Sequence, residues 1–193
     1  DSETAAGSSM EAKDTASYSG KDQEAALLFR YTFRRDTDLI GYPNIRLFAA
    51  AEGTEDMDIF VEIGKEGEKG KFLAWDCKPH NRYFEPFSSW EGRLRASMRK
   101  MDLEKSGEHL PVQSFEKAQY LEEGQPVELN ISIRPIGLRF RAGETLLLRI
   151  GNEQSSVLAG GRRLGKANNG GTHKIYGSKD MASYLELPFK EIK

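Results

Sequence analysis

Apolar and polar residues alternate in short runs along most of this chain, beginning at Ala26. In ALLFRYTF, Leu27, Phe29, Tyr31 and Phe33 share one face of an extended segment, and Arg30 and Thr32 share the other. PNIRLFA groups Ile45, Leu47 and Ala49 in the same way, and DIFVEI groups Ile59, Val61 and Ile63. The clearest run is VELNISI, where Val127, Leu129, Ile131 and Ile133 alternate with Glu128, Asn130 and Ser132. KFLAWDC, ETLLLRI and SYLEL are further candidates. A period of two over such lengths sets one face of a strand on a core and the other in water. Turn signals separate the runs: DTDLIGYP, GKEGEKG, EEGQP, RAGE and NNGG. No convincing amphipathic helix and no internal repeat is visible. Roughly eight to ten short strands spaced by turns predict an antiparallel sandwich or barrel.

Two stretches depart from this pattern. The opening DSETAAGSSMEAKDTASYSGKDQ is small and polar, with too little apolar surface to offset its ordering entropy. Residues 1–22 are therefore expected to be a polar linker or surface strap, and 23–193 the folded domain. A short extended piece around Ala16–Tyr18 can still dock on it. The aromatic, proline-containing stretch Asp76–Trp90 is too long for a hairpin loop and is expected to pack across a sheet.

Composition narrows the function classes. The 193 residues carry 28 Lys and Arg against 30 Asp and Glu, so the chain lacks the basic excess of a polyanion binder. Cys77 is the only cysteine, which excludes an internal disulfide and a cysteine-based zinc site. That usage fits a reducing compartment, so a cytoplasmic location is expected, with secretion of a parent protein left open. No apolar run approaches the ~18 residues of a membrane span, and the start lacks the apolar core of a signal peptide. Neither a membrane nor a nucleic acid is expected as a partner. The chain begins at Asp1 instead of methionine, and is expected to be a piece of a longer protein.

GGRRLGKA, Gly160 to Ala167, approaches a phosphate loop, but Ala167 stands where Ser or Thr would hold magnesium, and NNGG follows where a helix should begin. His80, His109 and His173 lie in loop-like stretches, and no serine sits in a Gly-x-Ser-x-Gly elbow, so no catalytic triad is expected. Asp36, Asp38, Glu55, Asp56 and Asp58 could supply oxygen ligands, yet no EF-type spacing exists, and no metal or cofactor is expected. Asn130-Ile131-Ser132 matches the glycosylation pattern, which only a secreted eukaryotic protein would use. Trp75, Trp90, Tyr83 and Phe84 could form a sugar-stacking platform, which keeps a free-standing carbohydrate-binding sandwich as the alternative function.

The basic stretch EGRLRASMRKMD, Glu91–Asp102, reads two ways. As a strand it puts Leu94, Ala96 and Met98 on one face and Arg93, Arg95, Ser97 and Arg99 on the other; as a helix it aligns Leu94, Met98 and Met101. Flanking Glu91, Asp102 and Glu104 cancel much of its local field. Arg93, Arg95 and Arg99 are expected to be protein-interface contacts.

This stretch also resembles the Gly-x-Leu-Arg-Ala-Ser-x-Arg-x-Leu-Asp segment in the C-terminal domain of the X-prolyl dipeptidyl-peptidase and cocaine-esterase family of serine hydrolases. FRYTFRRDTDLIGYPNIRLFAAAEGTEDMDIFVEI is similar to that family's entry into the domain. EEGQPVELNISIRPIGLRFRAGETLLLRI is similar to its Gly-x-Pro-Val-x-Leu strand and following hairpin, and HKIYGSKDMASYLELPF to its closing segment. Met98 departs from the histidine often found there. The resemblance, from about Ser17 to Phe189, implies an all-β jelly-roll (galactose-binding-like) β-sandwich with no catalytic residues of its own. It further implies an α/β-hydrolase catalytic domain in the same parent chain as partner, with homo-oligomerisation left open.

Overall fold

The computed structural model describes residues 15–67, 71–73, 89–152, 167 and 169–190. Trp75, Cys77, His80, Tyr83 and Phe84 lie outside them, as do the Gly160–Lys166 loop, the end of KFLAWDC and most of Asp76–Trp90.

Twelve strands are found among the described residues: β1 Thr15–Ser19, β2 Ala26–Thr32, β3 Thr37–Gly41, β4 Asn44–Glu52, β5 Asp58–Lys65, β6 Trp90–Arg95, β7 Val127–Ser132, β8 Ile136–Phe140, β9 Thr145–Gly151, β10 Thr172–Tyr176, β11 Tyr184–Glu186 and β12 Phe189–Lys190. Every ladder is antiparallel. Three sheets result: a five-stranded one ordered β1-β10-β4-β11 with β7 also on β4, a four-stranded one ordered β2-β9-β5-β6, and a three-stranded one ordered β12-β3-β8. The chain is an all-β jelly-roll sandwich.

The alternation read from sequence sets the layers. Ile45, Leu47, Ala49 and Ala51 of β4 and Leu129 and Ile131 of β7 point to the same core as Ile59, Val61 and Ile63 of β5, and all are essentially inaccessible. Side chains of even number on β5 and odd number on β6 face away from it, which puts Asp58 opposite Arg95, Phe60 opposite Arg93 and Glu62 opposite Glu91. β4 has two edges: β7 takes one, while β10 and β11 divide the other, and the Ser183 hydroxyl accepts the Phe48 N–H in the gap between them at 2.9 Å.

One element differs from the sequence expectation, and a second gives it a definite form. β3 lies within DTDLIGYP, read as a turn; its one deep apolar side chain, Leu39, is fully buried, too short a signal for a period of two to register. β1 lies inside the stretch assigned to linker or strap. It pairs with β10 over its whole length and buries Tyr18, so the extended piece expected around Ala16–Tyr18 docks as a sheet strand.

The two larger sheets meet at β6 and β7. A Cβ on Gly92 would lie 2.4 Å from the Ser132 carbonyl oxygen, so only glycine permits this approach. Beyond it, the Arg134 N–H donates to the Glu91 carbonyl at 3.0 Å.

Candidate functional site

EGRLRASMRKMD follows the strand reading as far as Arg95, and the helical alignment of Leu94, Met98 and Met101 does not form. It runs as β6 through Arg95 and then turns into a 3-10 helix, Ala96–Met98. The switch is fixed by Asp56, a buried residue just before β5. Its Oδ1 accepts the Ser97 N–H at 2.9 Å and the Met57 N–H at 2.9 Å, and its Oδ2 accepts the Ser97 hydroxyl at 2.7 Å. Leu94 and Ala96 fill the core beneath. Asp102 closes the segment by accepting the Lys105 N–H at 3.2 Å.

The three arginines proposed as interface contacts take different places. Arg95 makes a two-pronged pair with Asp58, Nε to Oδ1 at 2.8 Å and Nη2 to Oδ2 at 2.9 Å. Arg99 donates to the Ala96 carbonyl at 3.1 Å and to that of Gln119. Arg93 is exposed, opposite Phe60 on the outer face of the four-stranded sheet. Arg93 and Arg95 share that face, whereas Arg99 follows the 3-10 turn onto the loop beyond.

Of the carboxylates considered as metal ligands, Asp36, Asp38, Asp56 and Asp58 are engaged elsewhere. Asp38 pairs with Arg139 at 2.7 and 2.8 Å, Asp36 accepts the Ala142 N–H at 2.9 Å, and Asp56 and Asp58 serve β6 as described. His109 contacts Glu186 at 3.1 Å on an exposed surface. His173 is wholly buried edge-on to Tyr18, and burial lowers its pKa. Among the described residues, neither histidine is hydrogen-bonded to a serine. Of the aromatics proposed to stack sugars, Trp90 is half-buried and packs against the core. On the outer face of the five-stranded sheet, Arg46 instead lies over the Phe48 ring at 5.1 Å, with Tyr184 at 5.9 Å.

A feature that sequence reading passed over is the row Arg149–Glu62–Glu91 across β9, β5 and β6. Glu62 is fully buried, with Arg149 Nη1 at 3.2 Å and Ser89 Oγ at 3.1 Å. Glu91 is buried beside it, and its Oε2 has no hydrogen-bond partner. Burial first, and then the Glu62 charge, push the Glu91 carboxyl up to about 7, against the pull of Arg134 and Arg93. The only hint in the sequence was acids placed among apolar neighbours on paired strands.

The sign follows from linkage. The folded chain holds a proton on Glu91 that the unfolded chain releases near its ordinary value, 4.5, so this group's contribution falls as pH rises from 4.5 through 7. Glu91→Gln cannot ionise. After allowance for solvent screening it is expected to gain ~1 kcal/mol over the native chain at pH 8 relative to pH 4.5. Thermal melts of both proteins across that range check this; parallel curves would refute it.

The fold and these contacts define a β-sandwich domain whose polar groups, among the described residues, mostly close on one another. The family model described as the X-Pro dipeptidyl-peptidase C-terminal non-catalytic domain matches residues 1–186, and the chain belongs to that family. Among solved structures, a CocE/NonD family hydrolase from Staphylococcus aureus is 28% identical with a TM-score of 0.81; the match covers 92% of this chain and 32% of that one. An alpha-amino acid ester hydrolase, 17% identical with a TM-score of 0.56, is matched over 86% of this chain and 25% of its own. An aminopeptidase from a marine sediment archaeon, Thaumarchaeota archaeon, is 15% identical with a TM-score of 0.57, over 86% and 26%. The last two show the fold alone. The chain thus spans a third or less of the length of these structures. No curated protein matches it.

Proposed function

We propose that this chain is the supporting domain of an α/β-hydrolase-type serine hydrolase of X-Pro dipeptidyl-peptidase or acyl-esterase type, packed against the catalytic domain of the same parent chain. The observation that carries this reading is the use made of GRLRASMRKMD. Its Ser97, Arg95 and Arg99 find partners inside the domain, where they fix the β6 turn, and among the described residues they do not converge on a pocket with a base and a nucleophile. Arg93 is the member of the motif best placed to reach a partner, because its side chain stands exposed on a sheet face.

Deleting this domain from the parent enzyme tests the proposal. The truncated hydrolase is expected to lose most of its soluble yield and to melt at a lower temperature, with its nucleophile still labelled by an active-site-directed fluorophosphonate in whatever remains folded. A truncated enzyme as stable and as soluble as the parent would count against a supporting role.

A further inference from the structure

Between the 3-10 turn and β7 the chain forms a surface arm, residues 99–126, that holds its shape without regular strands. Met101 bridges Gln113, the Asp102 N–H donates to the Val112 carbonyl at 2.8 Å, and Gly107 and Leu110 close the tip. The returning leg is tied by Ser114 N–H to the Lys100 carbonyl at 2.9 Å, Gln119 N–H to the Ser97 carbonyl at 2.7 Å and Leu121 N–H to the Glu55 carbonyl at 2.8 Å. Gln113 Nε2 reaches the Asn130 carbonyl at 2.7 Å, the Ser132 hydroxyl reaches the Pro111 carbonyl at 2.6 Å, and His109 meets Glu186. The arm is fastened to both β7 and β11.

On this fixed frame stand large apolar side chains turned to water. Leu103 is 83% exposed, Phe115 66%, Tyr120 60% and Leu110 40%. Phe115 also has φ of +52°, the one non-glycine residue in the left-handed region among those described. That conformation costs an aromatic residue on the order of 1–2 kcal/mol, and such strain persists only where the surroundings impose it. Within this chain the exposed ring returns little for that cost.

We propose that the exposed apolar side chains of this arm, Leu103, Leu110, Phe115 and Tyr120, are where the catalytic body of the parent hydrolase docks. The inference rests on the supporting-domain reading and adds the surface to it. The occupant follows from size. The S. aureus hydrolase match covers only 32% of that chain, so a body about twice the size of this domain adjoins the corresponding domain there. The four side chains expose on the order of 400 Å² of apolar surface. That is short of the ~800 Å² each partner of a free dimer contributes, but it can form the core of a tethered interdomain contact, which needs less. The rim is suitable too, since Lys100 pairs with Glu116 and Lys105 with Asp102, leaving these charges matched beside the patch.

Hydroxyl-radical footprinting of the full-length parent enzyme and of this chain alone tests the proposal. Leu103, Phe115 and Tyr120 are expected to oxidise several-fold more slowly in the parent than in the isolated chain. Phe115→Gly then separates docking from folding, because glycine adopts a positive φ without strain. The isolated variant is expected to melt no lower than the native chain, while in the parent it raises oxidation at Tyr120 and Leu103 and speeds proteolytic release of the domain. Protection confined to another face, such as that of Arg93, would overturn this inference and leave the supporting role standing. Equal oxidation everywhere in the two proteins would overturn both. Arm protection that appears in the isolated chain as its concentration rises would assign the face to a second copy and overturn the inference as well.

Discussion

Asp56→Ala is expected to lower the unfolding free energy by about 3–5 kcal/mol, the largest loss we anticipate from a single polar side chain here. Asp56 satisfies two backbone N–H groups and one hydroxyl, all within 2.9 Å, and both it and Ser97 are buried. Alanine leaves those three donors without a partner where water does not reach. Each would bear a desolvation cost of roughly 1–3 kcal/mol, less than additively because they share one site. Asp56→Asn keeps one oxygen for the backbone donors, so its cost should be about half, with Ser97→Ala of similar size. Urea unfolding at constant m separates these values. A loss below ~1 kcal/mol for Asp56→Ala would mean that this carboxylate does not fix the turn after β6.

Gly92→Ala is expected to be nearly as costly by a different mechanism. The added methyl group would meet the Ser132 carbonyl oxygen at 2.4 Å and crowd Ile133 and Ile131 at 3.1 and 3.2 Å. A backbone oxygen cannot rotate away as a flexible side chain can, so β6 and β7 must separate. Overpacking of this kind costs about 3 kcal/mol, and a domain of this size would melt roughly 6–12 °C lower. Gly137→Ala is the matched control, also a strand glycine but with open space where its Cβ would lie. It should shift stability by no more than ~0.5 kcal/mol. Equal melting temperatures for the two variants would show that the close approach of the sheets is unnecessary.

These two residues show where sequence reading succeeds and where it stops. Strands were legible wherever one face alone meets the core, as in β7, where Leu129 and Ile131 are buried and Glu128 is exposed. The reading weakened where both faces are covered. In β9, Leu146, Leu147 and Leu148 are buried in succession, so periodicity marks the element without orienting it. β3 was hidden because five residues with one deep leucine carry too little pattern.

The candidate site was less legible still, for a reason of geometry. Alternation correctly placed Arg93 and Arg95 on one face, yet whether an arginine faces a partner or its own chain depends on what lies across the ladder. Asp58 lies opposite Arg95 only because β5 and β6 pair in one particular register, which joins residues 37 apart. The Arg149–Glu62–Glu91 row depends on register twice over. The strain at Phe115 has no residue signature at all, since glycine or asparagine, not phenylalanine, usually marks such a backbone.

Turnover by the isolated chain tests the central claim most directly. Incubated alone with p-nitrophenyl esters and X-Pro-nitroanilides, it is expected to release product no faster than buffer, while the full-length parent hydrolyses at least one of these classes. Turnover by the isolated chain that vanished on replacing one of its own serines would contradict the assignment of this domain as non-catalytic.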